Sequence, residues 1–476
     1  MRLNFIKSLG SILVILATGA IIGGATMVVA YLNSPPRLQK PSGIAAMEVR
    51  ENLALDQLLS DVTPRYGTIE VETHPPVDSG APAPAGTYLY NTLLDNLLSS
   101  LHYYFKMPAE SEVTEFVASW DAETGERVLS DALLISLESN ISYLLTLETY
   151  RKLHMIAIFD EDLEATRERV RELFDAEWHS RGEWPLGVYF DLIRLYEITE
   201  NEDYLRWAER YAAGDGPEDT NTPLYRAREL ALRIQYDYPR TTSPFHFYHC
   251  ALLADYGNRH DPTMLNQARI MFEGLREFLY DPRYKMLWKQ VSTQGGSMNI
   301  IQTFDSLEQL SAIRAITEYG KISGDPDALS LTRALLDGVW GSESPMLITA
   351  PEPYSPTTYY GIYTAYDVDR SAERLDPNEQ VIVEILLYEA LVMVNEATRG
   401  EFRGDVDFLS SWLEDNGPLY RRYFNGYFTE YAPIWEDPLN PMISSKAAIW
   451  MSKGLVADEW YKYRTARALS ISGVEE

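Results

Sequence analysis

The sequence is poor in cysteine and in basic residues. Cys250 is the only cysteine in 476 residues, which excludes an intrachain disulfide and a metal cluster held by several thiolates. Lysine and arginine together number 41 against 70 aspartates and glutamates, which gives a formal charge of -29. A field of that sign repels phosphate backbones, so nucleic acid is not an expected partner.

The sequence also lacks the short motifs of nucleotide and serine-hydrolase chemistry. It contains no Gly-x-Ser-x-Gly, no glycine-rich phosphate loop ending in lysine and no dinucleotide fingerprint. No cofactor is therefore expected. His246 and His249 are three residues apart, as in a pair of metal ligands on a helix, but the sequence places no third ligand near them. We predict no metal site.

Charge is absent from one long segment near the N-terminus. No side chain from residue 8 to residue 33 is charged, and this run exceeds the ~20 residues that a helix needs to cross a bilayer. Its length favours an uncleaved anchor over a signal peptide. Arg2 and Lys7 favour a cytoplasmic N-terminus, although two basic residues follow the run on its other side. We expect residues 1–33 to form a single-pass signal anchor that places the main domain outside the cytoplasm, at the cell membrane.

A proline-rich stretch separates this segment from the rest of the chain. Residues 34–87 contain eight prolines, and the part from Pro75 to Gly86 has almost no large apolar residue, as is typical of an extended spacer. The sequence therefore predicts a juxtamembrane linker over 34–87 and a globular domain over 88–476.

Helical periodicity dominates this globular domain. Leu93, Leu97, Leu101 and Phe105 are spaced by four, and strand signals are short and local. One phrase recurs: an apolar helix, a turn with Gly, Asn or Asp, and a second helix that opens with an acidic residue. Each copy predicts an αα-hairpin, with further hairpins drawn over 136–174 and 444–463. The clear copies occupy residues 192–208, 251–268, 313–329 and 387–409. Five or six hairpins could stack as a solenoid or close into a ring, and the long aromatic loops between them favour the ring.

Three phrases, at 195–205, 324–329 and 378–389, resemble those of the (α/α)6 toroid superfamily, the six-hairpin glycosidases and their relatives. The resemblance covers residues 88–465 and implies an all-α toroid of five to six hairpins behind the N-terminal transmembrane helix. Members of the superfamily include polysaccharide hydrolases, lyases, sugar epimerases and non-catalytic proteins. No signature of a single family is present, so the catalytic candidates come from chemistry.

Candidate catalytic residues are carboxylates in loops, because the loops at one end of a toroid surround a central funnel. Glycoside cleavage needs one protonated and one ionised carboxyl group. We select Glu183, Asp305, Asp369 and Glu430, which all lie near aromatic residues. Two of them have simpler explanations: Glu183 as a charge at a helix start, and Asp305 as a helix N-cap with Glu308 as its capping partner.

Aromatic and amide side chains near these carboxylates are candidates for substrate binding. Tryptophan and tyrosine offer flat apolar faces with a polar group, which suits a sugar ring. The alternative is that the tyrosine-rich loop packs over the rim of the toroid. The selected residues are Trp184, Gln302, Tyr360, Tyr363 and Trp435.

These patterns predict a membrane-anchored carbohydrate-active protein, with a glycoside hydrolase acting on a cell-surface or extracellular glycan as the main hypothesis. One alternative is a non-catalytic toroid that binds a glycan or serves as a subunit of a membrane-protein assembly. The other is a sugar epimerase that transfers protons through His246 and His249.

Overall fold

The structure is a computed structural model of the full chain. It describes residues 92–105, 116, 119–122, 127–128, 137–155, 159–175, 187–214, 220–237, 240–294, 297–349, 359–368, 374–375, 379–415, 419–420, 425–428, 430–432, 437–438 and 442–472. The predicted anchor and linker, residues 1–87, lie outside the described residues. Among those described, no helix combines the length and the apolar character that crossing a bilayer requires.

Thirteen α-helices form the described part of the domain. They are α1 (Leu93–Ser100, continued by a π-helical turn at Leu101–Phe105), α2 (Leu137–His154), α3 (Asp160–Asp175), α4 (Gly187–Thr199), α5 (Glu202–Ala213), α6 (Pro223–Gln235), α7 (His246–Arg259), α8 (Pro262–Leu279), α9 (Ser306–Ser323), α10 (Pro326–Trp340), α11 (Val381–Ala397), α12 (Arg403–Asp415) and α13 (Ser445–Ser472).

Six of these helices form an inner ring. Helix α2 packs on α4, α7 on α9, α9 on α11, α11 on α13, and α13 returns to α2. Between α4 and α7 the ring is joined by Tyr189, whose hydroxyl donates to Asp255 Oδ2 at 2.5 Å. The other helices pack outside this ring, which confirms the predicted toroid of helical hairpins.

Burial explains which helices are inside. In α11, 14 of 17 residues are buried, so the helix is covered on all sides as an inner helix must be. In α5 only Tyr204, Ala208, Tyr211 and Ala212 of 12 residues are buried, and their spacing forms one apolar stripe. The predicted hairpins over 136–174, 192–208, 251–268, 313–329 and 387–409 each join an inner helix to the outer helix that follows it.

The final predicted hairpin is wrong. Residues 445–472 form one continuous helix, α13, without a turn near Tyr463. The stretch contains no proline, and its only glycine is Gly454, which lies against the ring of Tyr388 in α11. Nothing in the local sequence interrupts the helix, so it continues beyond the ring. Trp460 and Arg464 therefore lie at one end of the ring.

The two ends of the ring differ in the length of their connections. At the C-terminal ends of the inner helices the connections to the outer helices are short; they are 155–159, 200–201, 260–261, 324–325 and 398–402. At the N-terminal ends the connections are longer; they are 106–136, 176–186, 236–245, 280–305, 341–380 and 416–444. We call these ends the short-connection face and the long-connection face.

All eighteen strands of the described residues belong to the long connections. They are β1 (Ser119–Asp121), β2 (Arg127–Val128), β3 (Arg240–Thr242), β4 (Tyr280–Asp281), β5 (Met286–Leu287), β6 (Gln290–Gln294), β7 (Ser297–Ile301), β8 (Thr303–Asp305), β9 (Leu347–Thr349), β10 (Tyr359–Ile362), β11 (Ala365–Asp367), β12 (Arg374–Leu375), β13 (Glu379–Gln380), β14 (Leu419–Tyr420), β15 (Gly426–Phe428), β16 (Glu430–Ala432), β17 (Asp437–Pro438) and β18 (Met442–Ser444).

Antiparallel pairing of these strands joins neighbouring connections around the long-connection face. The sheet orders are β14-β15-β18-β1-β2, β12-β11-β8, β13-β16-β17, β3-β6-β7, β10-β9 and β4-β5. Ser119 pairs with Ser444, which links the first connection to the last and closes the ring at this face. The starts of the inner helices are therefore held by short sheets.

Candidate functional site

All nine residues predicted for the site fall within the sequence ranges of the long connections, each of which precedes an inner helix. Glu183, Trp184, Asp369 and Trp435 lie outside the described residues. The backbones of Tyr360 and Glu430 lie in β10 and β16, and their side chains are outside the described part. The structure describes the side chains of the remaining three, Gln302, Asp305 and Tyr363.

Backbone pairing brings these three residues together at the start of the inner helix α9. Asp305 pairs with Ala365 across β8 and β11. The hydroxyl of Ser306 donates to the carbonyl of Tyr363, and the amide of Val368 donates to the carbonyl of Gln302 at 3.0 Å. The Gln302 side chain is exposed, whereas Tyr363 is only 7% exposed and offers little open ring surface among the described residues.

Asp305 caps α9 and binds a lysine. Its Oδ1 accepts from the backbone amide of Glu308 at 3.2 Å, and its Oδ2 accepts from Nζ of Lys289 at 3.2 Å. The capping role predicted for Asp305 is confirmed. Because its two oxygens are engaged by the helix and by a cation, Asp305 is a fixed carboxylate that places negative charge beside Glu308.

Glu308, at the same helix start, has a carboxyl group with a raised pKa and one oxygen left unpaired by the described residues. It is half-buried, and its Oε2 has no hydrogen-bond partner among the described residues. Burial first, and then the charge of Asp305, raises its pKa to about 7, while Lys289 acts in the opposite direction. A carboxyl group with this pKa holds a proton near neutral pH and can donate it.

Our sequence reasoning considered Glu308 only as a capping partner. The signal that could have identified it is the placement of two acidic residues three apart on the first turn of a buried helix, where they repel each other. The extent of that repulsion depends on burial, which the local sequence does not show.

An aromatic layer lies beside the Asp305–Lys289 pair. Phe304 stacks on Trp288 with ring centroids 4.6 Å apart and an interplanar angle of 16°, and on Tyr366 at 6.5 Å and 7°. Phe304 and Trp288 are buried, whereas Tyr366 is half-buried. Sequence reasoning did not select Trp288, because its neighbours in the sequence do not link it to a carboxylate. The link to Asp305 arises only in the fold, where Trp288, just after β5, lies beside β8.

The centre of the ring contains charged side chains that were also missed. Six residues from four inner helices form what we call the axial cluster; they are Asp191, Arg194, Arg314, Glu318, Glu389 and Lys453. Each belongs to an otherwise apolar helical phrase, and this isolated charge in a buried helix is the sequence signal that could have found it.

Ion pairs connect the members of the axial cluster. Nζ of Lys453 lies 3.0 Å from Asp191 Oδ2 and 3.0 Å from Glu389 Oε1, and Arg314 donates to the same Glu389 oxygen at 2.9 Å. Burial acts to raise the pKa of Glu389, but the positive charges of Arg314 and Lys453 outweigh burial and hold this pKa below its ordinary value. Among the described residues, a void of about 10 Å³, no larger than one water molecule, lies between Asp191, Arg194, Arg314 and Glu318.

The two histidines proposed for epimerisation lie side by side on α7. Their ring centroids are 5.8 Å apart, and His246 is bonded through Nδ1 to Ser243 at the helix start. Burial first, and then the neighbouring His246 and the charge of Arg226 from α6, lower the pKa of His249 to about 3. Proton transfer at two faces of a sugar needs opposed groups, and this pair shares one helix.

Among the described residues, no group of three or more histidine, cysteine, aspartate or glutamate side chains is placed to hold a metal ion.

Solved structures share this fold. The chain aligns over 78% of its length with 96% of an unsaturated glucuronyl hydrolase specific for heparin, at a TM-score of 0.52 and 12% identity. It aligns over 78% with 98% of an alpha-1,6-mannanase of glycoside hydrolase family 76 from Salegentibacter sp. HEL1_6, at a TM-score of 0.50 and 13% identity. A family 76 glycoside hydrolase from a bovine Bacteroides thetaiotaomicron strain aligns over 77% of each chain, with a TM-score of 0.50 and 10% identity.

The chain therefore has the six-hairpin toroid fold of these glycosidases, as the sequence resemblance predicted. No protein-family model matches the chain, and no curated protein sequence matches it. At identities of 10 to 13% the likeness concerns the fold, so function has to be argued from the residues of this chain.

Proposed function

We propose that this protein is a glycoside hydrolase whose active site lies at the long-connection face. The observation that carries the proposal is Glu308, a half-buried carboxyl group with a pKa raised to about 7 and an oxygen without a partner among the described residues. It stands at the start of an inner helix, directly after one of the long connections, whose sequence ranges contain every predicted site residue.

Glu308 supplies the proton in this mechanism. Cleavage requires a protonated carboxyl group to transfer its proton to the glycosidic oxygen as the bond to the anomeric carbon breaks. Asp305 is a positioning residue: it fixes the first turn of α9 and keeps Glu308 protonated through its negative charge. Asp305 cannot also be the opposing carboxylate, because it lies on the same helical turn and is bound to Lys289.

The second carboxyl group then comes from another connection. Glu183, Asp369 and Glu430 are the candidates, since each belongs to a different long connection. An ionised carboxylate opposite Glu308 would accept a proton from the attacking water or attack the anomeric carbon itself, depending on its distance.

The neighbours in fold support glycan chemistry in general. Their titles name a hydrolase specific for heparin and an alpha-1,6-mannanase, and a variant of that mannanase with two consecutive aspartates replaced is described as inactive. The present sequence contains no two consecutive aspartates. That particular pair is therefore not present here, and neither neighbour's glycan is carried over to this chain.

The proposed location of the protein depends on residues 1–33. We propose that residues 1–33 anchor the protein and that the toroid acts outside the cytoplasm on a glycan near the cell surface. The uncharged run after Lys7 and the basic residues before it support this arrangement.

The test is hydrolysis of a polysaccharide panel by full-length protein, measured as release of reducing ends. Glu308→Gln should lower turnover by about 100-fold or more, because it removes the proton and keeps the shape. The matched control is Glu273→Gln on the exposed side of the outer helix α8, which should leave turnover unchanged. Equal turnover in wild type and Glu308→Gln would remove Glu308 from the mechanism.

One observation favours a second candidate, a non-catalytic toroid that binds a glycan or forms part of a membrane assembly. The axial cluster occupies the centre of the ring, where the void among its side chains holds no more than about one water molecule. Binding of a panel glycan without any release of reducing ends would support this candidate over the hydrolase.

A further inference from the structure

A second concave site lies at the short-connection face, opposite to the proposed active site. A cavity of about 400 Å³ opens between the C-terminal halves of α2, α4, α9, α11 and α13. We call it the short-face cavity, and the residues used below are Trp460, Glu197, Glu396, Lys321, Arg464 and Arg194. Its volume falls within the range of about 300–1,000 Å³ that is usual for small-molecule sites.

The short-face cavity is separate from the long-connection face. Arg194 lines both this cavity and the water-sized void of the axial cluster, and its Nη2 donates to Glu318 Oε1 at 2.7 Å. The axial cluster therefore forms the floor of the cavity within the described residues. A ligand bound here would not reach Glu308.

The cavity is lined by charges of both signs. Four cations, Arg194, Lys321, Lys453 and Arg464, line it with the carboxylates Glu197 and Glu396. Arg194 is paired with Glu318, and Lys453 with Asp191 and Glu389, whose carboxylates lie beyond the lining. Lys321 and Arg464 both lie near Glu396. A ligand with a net charge would meet a group of like sign at this site. A neutral ligand rich in hydroxyl groups meets donors and acceptors at once, since each hydroxyl can donate and accept.

Two features of the lining suit a sugar ring. Trp460 is half-buried, with its indole stacked against Tyr463 at 5.7 Å, so that its position is fixed while part of it lines the cavity. Nη1 of Arg464 lies 3.1 Å from Glu396 Oε1. Nζ of Lys321 lies 3.6 Å from Glu396 Oε2 and 3.5 Å from Glu318 Oε2. An ammonium group has three donors, so Lys321 can also donate to a ligand.

Glu197 adds an acceptor at the cavity. Its carboxylate makes no hydrogen bond or ion pair with a described residue, although Lys321 and Arg194 lie near enough to interact with it electrostatically. An indole face with hydrogen-bonding groups of both kinds around it is an arrangement that stacks and orients a pyranose.

We propose that the short-face cavity binds one neutral sugar unit of a glycan, stacked on Trp460 and hydrogen-bonded by Glu197, Lys321 and Arg464. This site takes no part in bond cleavage. It holds a glycan on the face of the toroid opposite to Glu308, and the proposal stands whether or not the protein is a hydrolase.

The experiment uses full-length protein labelled with 5-fluorotryptophan, in a detergent without a sugar head group. The resonance of Trp460 among the ten tryptophans is assigned with Trp460→Phe. Mannose, glucose, galactose and N-acetylglucosamine are titrated as neutral probes, and glucuronate, glucosamine and inorganic sulfate as charged ones. At least one neutral sugar should shift the Trp460 resonance saturably, and the charged probes should not.

Variants define the contacts. Affinity, measured by calorimetry, should fall about tenfold or more in Trp460→Ala, because the stacking face is lost. It should stay within about threefold of wild type in Glu197→Gln, since the amide still hydrogen-bonds a neutral ligand. Trp460→Phe keeps an aromatic face and should retain binding, which covers the case in which Trp460→Ala fails to fold. Glu308→Gln should leave the affinity unchanged.

Four results would overturn the proposal. The first is the absence of a saturable response to every neutral sugar, and the second is a response to charged probes alone. The third is unchanged sugar affinity in a folded Trp460→Ala. The fourth is loss of sugar binding in Glu308→Gln, which would show that the sugar binds at the long-connection face and not in the short-face cavity.

Discussion

At the scale of single residues, Glu308 couples the proposed chemistry to stability. Its pKa is raised from an ordinary value of 4.5 to about 7, so between these values the folded protein binds more protons than the unfolded chain. The free energy of unfolding therefore falls as the pH rises through this range. We expect Glu308→Gln to remove this decline and to be more stable than wild type at pH 8, by about 1 kcal/mol after allowance for solvent screening.

This prediction is checked by urea denaturation at pH 4.5 and pH 8. The advantage of Glu308→Gln should be present at pH 8 and should be nearly lost at pH 4.5, where the wild-type side chain is protonated in the folded state and half protonated in the unfolded state. Glu273→Gln is the control and should show no such difference between the two pH values. A constant offset between wild type and Glu308→Gln at both pH values would contradict the raised pKa.

Lys453 is the residue on which the axial cluster depends most. It is buried between Asp191 and Glu389, and removing its charge leaves two buried carboxylates with less compensation. We expect Lys453→Met to lower the free energy of unfolding by about 3–5 kcal/mol. Urea denaturation followed by circular dichroism measures the change.

The matched control for Lys453 lies on the same helix. Lys462 is exposed and pairs at 2.9 Å with Asp458, a buried carboxylate that is also bound by Arg403. Lys462→Met should cost less than about 1 kcal/mol, because the ammonium is solvated and Asp458 keeps its pair with Arg403. Similar losses in the two variants would mean that the axial cluster contributes no more than a surface ion pair.

At the scale of helices, Gly257 shows how closely two elements approach. It lies inside α7, two residues before the helix ends. A Cβ at this position would lie 2.7 Å from the backbone nitrogen of Leu265 in α8, which cannot move away. The glycine is therefore required by the contact between α7 and α8 and not by a turn.

We predict opposite effects for two glycine substitutions in helices. Gly257→Ala should destabilise the protein by about 1–3 kcal/mol through overpacking. Gly404→Ala in α12 meets no atom within 4 Å and should stabilise it by about 0.5 kcal/mol, because alanine loses less backbone entropy on folding. Thermal unfolding of both variants gives the comparison, and a stabilised Gly257→Ala would refute the close contact.

At the scale of the whole molecule, the strong acidity predicts a response to salt. With a formal charge of -29, like charges repel across the folded surface, and salt screens that repulsion. We expect the thermal unfolding midpoint to rise as sodium chloride increases from about 0.05 M to about 1 M. Potassium chloride serves as the control, since screening does not distinguish the two cations. A midpoint that falls with salt would show that favourable surface ion pairs outweigh the net repulsion.

The orientation of the molecule is also open to test. If residues 1–33 anchor the chain with a cytoplasmic N-terminus, protease added to intact cells should remove the toroid and leave a short membrane-bound fragment. An immunoblot against tags at the two ends of the chain detects both products. A cytoplasmic marker protein that stays intact is the control, and protection of the toroid until lysis would reverse the orientation.

The sequence by itself determined most of the helical architecture. Apolar spacing located five of the hairpins. Pro262 and Pro326 open the outer helices α8 and α10, with Asp261 and Asp325 as N-caps. These features are local, because helix periodicity, proline and capping residues act within a few residues of each other. The same local signals failed at 445–472, where a predicted turn is a continuous helix.

Tertiary structure alone decided which charged side chains meet, how the pKa of Glu308 is shifted and where a cavity forms. Arg314 and Glu389 are 75 residues apart, and Lys453 and Asp191 are 262 apart, yet they meet at the axis because ring closure brings four inner helices to one centre. The raised pKa of Glu308 depends on burial under other connections, and the short-face cavity depends on where five helices end. Such properties arise from long-range packing and from the desolvation it causes, neither of which is encoded in a short stretch of sequence.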